Sequence, residues 1–157
     1  MPPKFSPVKG AQGFQQSNPC ILAVASLRGS LKIFQSVGMM RPIRERSVEL
    51  TGALEKLLKA SAFFVRPEAV GKTSSVGFTI TTPSDSSQRG AQLSLLFLPA
   101  GSGTMEKVFA YLTEHGVIGD EREPDVIRLS PAPLYNTLTD CERSADVLEK
   151  AFASLAA

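Results

Sequence analysis

Two short stretches of the 157-residue sequence carry residue types and spacings that could do chemistry. The first is Ser17-Asn18-Pro19, inside GFQQSNPCILAVASLRGSLKIF at residues 13–34. Asparagine is a favoured N-cap, and proline suits the first helical position because its missing N–H would have no partner there. With Asn18 as the cap and Pro19 opening a helix, the free amides that follow and the Ser17 hydroxyl would point at one spot. The helix dipole favours a negative group there, and a phosphate fits. A plain helix cap explains the same residues without a ligand, and taken alone they favour it. The second is Arg128 in DVIRLSPAPLYN. In a strand, Ile127 and Leu129 share one face while Val126, Arg128 and Ser130 share the other. An arginine at a strand end, followed by rigid proline-rich chain, can clamp a carboxylate through two parallel hydrogen bonds. An arginine that only solvates the strand end is the competing reading, favoured when the residue is taken alone.

Other stretches imitate sites without completing them. RPEAVGKT ends like a phosphate-binding loop at Gly71, Lys72 and Thr73, but Arg66 stands where the first glycine is needed. GSGTME has Glu106 in place of the third glycine of a dinucleotide fingerprint, which leaves a flexible turn. His115 is the single histidine and precedes Gly116, where a cation suits the end of a helix. Cys20 and Cys141 are far apart and lack CxxC spacing, so they read as reduced thiols and support no zinc site. No self-contained catalytic constellation is visible.

These residues need elements to hold them. With 43% hydrophobic residues the chain can bury one good core, as at most one domain with appendages. A net charge of +2 is too small to suggest nucleic acid, and Arg41, Arg44 and Arg46 read as a solvated helix face. No apolar run is long enough to span a membrane. The N-terminus has no apolar segment of the secretory kind, so the cytoplasm is the expected location. Helical spacing runs from Pro19 to about Val37 through Val24, Leu27, Leu31 and Phe34, and Gly38 breaks it. A second helix, about 41–61, aligns Leu50, Leu54, Leu57 and Leu58. AFFV could be a short strand. VGFTITTPS reads as a half-buried strand, and AQLSLLFLP as one buried on both faces, with a hairpin connection between them. Met105, Val108, Phe109 and Leu112 mark a helix closed by Gly116. GVIGD and DVIRLS read as short strands, and Thr139 with Glu142 as the capping box of a last helix bearing Leu148, Phe152 and Leu155. The pattern is an α+β layer of the α/β class, with helices on one side of a small mixed sheet.

GFQQSNPCILAVASLRGSLKIF, RERSVELTGALEKLL, FTITTPSDSSQRGAQLSLLF and GVIGDEREPDVIRLSPAPLYNTLTD closely resemble, in that order, the C-terminal part of kynureninase, particularly its fungal versions. The resemblance runs from about Phe5 onward and is weak at 62–76 and 99–104. FQQSNP, PSDSSQRGAQLS and IRLSPAPLYN are highly specific in combination. The resemblance implies the small C-terminal domain of a fold-type I, pyridoxal 5'-phosphate-dependent homodimer. Such enzymes hydrolyse kynurenine or 3-hydroxykynurenine to anthranilate or 3-hydroxyanthranilate plus L-alanine, in tryptophan degradation and NAD synthesis. By motif match, Asn18, with Ser17 beside it, would sit at the cofactor-phosphate and substrate end of the pocket. Arg128 would bind the substrate α-carboxylate. Residues 1–60 would join a large cofactor domain to a small domain at 61–157.

The departure from the family is equally concrete. Its Schiff-base lysine, the aspartate under the pyridine nitrogen and most phosphate contacts lie upstream of FQQSNP. Lys4, Lys9, Lys32, Lys56, Lys59, Lys72, Lys107 and Lys150 all stand outside that lysine's context. The helix start at Asn18 is expected to be orphaned from a preceding domain, and the chain alone to be inactive. The alternative is a non-catalytic module that binds a partner subunit or a small carboxylate. Coding sequence upstream of Met1 discriminates the two.

Overall fold

The computed structural model describes residues 4, 6–72 and 75–155; Phe5 and Thr73 lie outside the described residues. The chain divides into two units, Met1–Met40 and Arg41–Ala157.

In the first unit a single 3-10 turn, Ala11–Phe14, precedes helix α1, Ile21–Ser36. The helix starts two residues later than Asn18-Pro19 suggests. Its N-cap is Cys20, in extended backbone (φ −64°, ψ 117°), with no side-chain capping bond. The first bond of the helix runs from the Val24 amide to the Cys20 carbonyl at 3.1 Å. An asparagine caps only when it adjoins the first helical residue. With Pro19 and Cys20 both outside the helix, Asn18 stands too far back. At the other end Gly38 (φ 87°) and Met39 (φ 65°) turn left-handed, and the Met39 amide donates to the Phe34 carbonyl at 2.8 Å. Gly38 thus breaks the helix as its residue type demands. No residue of α1 is buried.

The second unit is built on helix α2 (Met40–Ala60), strands β1 (Gly77–Ile80) and β2 (Leu93–Leu98), helix α3 (Thr104–Glu114), strands β3 (Asp120–Arg122) and β4 (Val126–Leu129), and helix α4 (Leu138–Leu155). The sheet has the order β1-β2-β4-β3 and is antiparallel throughout. The parallel component of the expected mixed sheet is confined to an isolated bridge between Phe64, in AFFV, and Phe78. Phe78, Ile80, Leu93, Leu95, Phe97, Ile127 and Leu129 form one face of the sheet and join the core. Leu50, Leu54 and Leu58 of α2, Met105, Val108 and Leu112 of α3, and Leu148 and Phe152 of α4 complete that core. Phe152 stacks on Phe63, Phe78 and Phe97 with ring centroids 4.9, 5.7 and 5.7 Å apart. Each such pair adds about 0.5–1.5 kcal/mol beyond the area it buries.

Burial of the two hairpin strands is the reverse of the sequence expectation. All four residues of β1 are buried, Thr79 included, whereas β2 largely alternates, with Ser94 and Leu96 half-exposed. The cause is the chain around Phe64. The Val65 amide donates to the Phe78 carbonyl at 2.8 Å and the Phe78 amide to the Phe63 carbonyl at 3.0 Å, covering the outer edge of β1. Two end-signals also move. GVIGD starts its strand only at Asp120, because Gly116 (φ 76°) and Val117 are used to close α3. Their amides return to the Thr113 and Leu112 carbonyls at 3.1 and 2.8 Å, a Schellman cap. The capping box of α4 is Thr137 with Asp140, not Thr139 with Glu142. The Thr137 amide donates to Asp140 Oδ2 at 2.7 Å, and the Asp140 amide to Thr137 Oγ1 at 3.2 Å. Thr139 already lies inside the helix, where its hydroxyl cannot reach the free amides.

Candidate functional site

The strand register puts Arg128 on the sheet face opposite the core. On β2 it faces Ser94, and on β3 it faces Asp120; the next row pairs Leu96, Val126 and Arg122. Ile127 and Leu129, its neighbours in sequence, are buried on the other face. The side chain of Arg128 is 30% exposed and its Nη2 donates to Asp120 Oδ2. Asp120 also receives Arg122 Nη2 at 3.1 Å. The Arg128 Nε is buried and has no hydrogen-bond partner among the described residues. The guanidinium is therefore held by one carboxylate while most of its five donors remain unused.

Ser94, beside Arg128, is itself fixed. Its amide donates to Thr82 Oγ1 at 2.8 Å, and its hydroxyl accepts from Gln92 Nε2 at 3.2 Å. Gln92 and Thr82 flank the loop SDSSQRGA, which is tied down by charge. Arg89 Nη2 meets Glu55 Oε2 at 2.5 Å and Arg89 Nη1 donates to the Pro83 carbonyl at 3.1 Å. Arg44 Nη2 donates to the Ser86 carbonyl, and Asp85 accepts from the Ser87 amide at 2.8 Å. Burial pushes the Glu55 carboxyl up, but hydrogen bonds and charge from Arg89 and Lys59 outweigh it and hold the group below the usual carboxylate range. A hollow of about 750 Å³ lies on this side of β1, with Thr79, Thr81, Thr82, Leu96 and Arg66 among its walls. The Thr79 hydroxyl is buried there with no hydrogen-bond partner among the described residues.

Ser17 and Asn18 lie in the other unit. Both are exposed, in an open hollow of about 430 Å³ shared with Val8, Gln12, Gln15 and Gln16. Among the described residues, hydroxyl and amide groups line it and no carboxylate does. At the start of α1 the amides of Ile21, Leu22 and Ala23 have no intrahelical acceptor, and the first turn holds no acidic residue. The chemistry of this donor set fits a phosphate. It supplies no lysine, since none lines the hollow.

The remaining motifs stay outside both places. His115 caps α3, with Nδ1 2.8 Å from the Tyr111 carbonyl and its ring stacked on Tyr111. Burial raises the Cys141 thiol above its usual range, so it is a poor nucleophile. No group of His, Cys, Asp and Glu among the described residues could hold a metal ion, and no described helix is long and apolar enough to cross a membrane. Sequence reading overlooked Asp120, the last residue of GVIGD, and Arg122, which lies between GVIGD and DVIRLS and belongs to neither. The signal present was Asp-x-Arg at period two beside a strand that carries an arginine.

The kynureninase C-terminal domain family matches residues 43–148. Kynureninase from Yarrowia lipolytica is 54% identical over 142 residues, covering 88% of this chain and 32% of that protein. Kynureninase from Eremothecium gossypii is 51% identical over 156 residues, covering 97% of this chain and 34% of that protein. Kynureninase from Saccharomyces cerevisiae is 44% identical over 155 residues, covering 96% and 34% respectively. The chain thus spans about a third of the length of the curated relatives it matches. The family match over residues 43–148 and these relatives lead to one assignment: the chain belongs to the kynureninase family, as its C-terminal domain.

Proposed function

We propose that this chain serves as the C-terminal portion of a kynureninase. The reaction is hydrolysis of L-kynurenine or 3-hydroxy-L-kynurenine to anthranilate or 3-hydroxyanthranilate plus L-alanine, in tryptophan degradation and NAD biosynthesis. The observation that carries this reading is the under-used guanidinium of Arg128 on the open face of the sheet. It binds the substrate α-carboxylate and thereby orients the amino acid. Ser17 and Asn18 bind the phosphate end of pyridoxal 5'-phosphate, with Asn18 also near the substrate. When bound, that cofactor supplies the electron sink for the carbon–carbon cleavage. A lysine and an aspartate for its ring come from a preceding cofactor domain, with residues 1–60 joining the two, so this chain alone is inactive. The working enzyme is a cytoplasmic homodimer.

A second reading, a non-catalytic module docking a partner or a small carboxylate, is favoured by the exposed apolar side of α1. The two part on one substitution. In a full-length kynureninase carrying this chain, Arg128→Lys keeps the charge but loses the two-pronged donor. Catalytic efficiency should fall roughly ten- to a hundredfold, or about 1.5–3 kcal/mol, with cofactor occupancy and thermal stability nearly unchanged. Near-wild-type kinetics would remove Arg128 from the site.

A further inference from the structure

We propose that Asp120 is the positioning residue for the Arg128 guanidinium and that Arg122 preserves the pull of that pair on an incoming carboxylate. The proposal rests on the reading of Arg128 as the substrate clamp.

The three side chains share one face by register. Asp120 stands directly opposite Arg128, and Arg122 follows two residues along β3 on the same side. An arginine has several soft torsions, and binding through two parallel bonds requires the planar group to be presented in one orientation. Among the described residues Arg128 has a single anchor, Asp120 on Nη2, and no other acceptor. That leaves Nη hydrogens for a second anion while the side chain is already oriented.

A carboxylate beside the clamp would ordinarily weaken it by cancelling its charge. Here Arg122, 3.1 Å from the same Asp120 oxygen, restores the balance. Two guanidiniums share one carboxylate, so the cluster keeps one net positive charge. An α-carboxylate approaching Arg128 meets an attractive field although Asp120 is in place. The cluster is a poor candidate for a stabilising device. The side chains of Asp120 and Arg122 are 46% and 57% exposed, the range in which ion pairs contribute little to folding. Its value lies in geometry.

The test uses a full-length kynureninase carrying this chain, with Arg128→Lys as the reference variant. Asp120→Asn should raise KM for L-kynurenine about tenfold while kcat stays within about threefold and the thermal midpoint is unmoved. Arg122→Gln should raise KM about threefold, because Asp120 then neutralises Arg128. In the 157-residue chain itself, the Arg128 Nε–H signal should be sharp by NMR and broaden in Asp120→Asn, with backbone shifts elsewhere unchanged. If Arg128→Lys is harmful but Asp120→Asn keeps a normal KM, the positioning role is overturned and the clamp stands. If Arg128→Lys is silent, the clamp reading falls, and the NMR arm still decides whether Asp120 orients the guanidinium. A KM that falls in Asp120→Asn would make Asp120 a competitor for the clamp, and parallel losses of kcat and thermal midpoint would make it structural; either overturns the proposal.

Discussion

Helices α1 and α2 are written in the same code and meet opposite fates. Both space apolar residues three and four apart. Leu50, Leu54 and Leu58 of α2 are 0–2% exposed, whereas Val24, Leu27 and Leu31 of α1 are 44–60% exposed. Ile21 and Leu22 are more exposed still. Amphipathic spacing states that a helix has an apolar side; it does not state what covers it. For α2 the cover is in the same chain, namely the sheet face of Phe78, Leu95 and Ile127 with α3 and α4. For α1 the described residues bury none of the stripe. An uncovered side of this kind is where docking is expected.

The largest difference is expected on truncating one large apolar residue in each region. Phe152→Ala removes the ring on which three other phenylalanines stack and should cost about 3–5 kcal/mol in urea unfolding. Leu27→Ala on α1 should stay within about 0.5 kcal/mol. A large loss at Leu27 would show that the stripe of α1 is covered in solution.

Next in size is the buried charge that α2 carries and α1 lacks. The side chains of Glu55 and Arg89 are 11% and 5% exposed, so Glu55→Gln strands a buried guanidinium and should cost about 3 kcal/mol. The sign of the pH dependence follows. The folded carboxyl titrates below its ordinary value of 4.5, so the stabilisation is fully present above that pH and is lost as pH falls through the lowered folded value. Acid melting curves of the wild type should drop in that window, and those of Glu55→Gln should drop less. Some slope should persist, because Asp85 and Asp140, held low first by the Ser87 and Thr137 backbone amides, titrate there too.

The smallest effects distinguish the two helix starts that the sequence suggested. Thr137→Ala removes a side-chain cap and should cost about 1 kcal/mol. Thr139→Ala and Asn18→Ala, neither of which caps a helix, should each change thermal unfolding by under about 0.5 kcal/mol. A cap-sized loss at Asn18 would restore the earlier helix start.

Much of the layer was legible because periodicity is local. The two helical spacings before residue 61, the hairpin, the helix ended by Gly116 and the last helix follow from residues a few positions apart, and so does the side of the strand that Arg128 occupies. What slipped was settled by competition for one backbone group or by chain arriving from elsewhere in the fold. Val117 could serve a strand or a helix cap, and the cap took its amide. Thr137 and Thr139 offer equal hydroxyls, and only the helix start chooses between them. Thr79 looks solvent-facing by alternation until the Phe63–Val65 chain closes over β1.

Local order along the chain was enough to place Arg128 on the non-core face of a strand, to put Ser17 and Asn18 before a long apolar helix, and to set the family motifs in order. That Asp120 and Arg122 are the company Arg128 keeps came from the folded sheet alone. Strand register, which a shift of one residue would invert, is fixed by burial of Leu95, Ile127 and their neighbours rather than by the charged residues themselves. A pairing across strands depends on where the core closes. Period-two spacing along one strand marks a shared face, not the partner across the ladder.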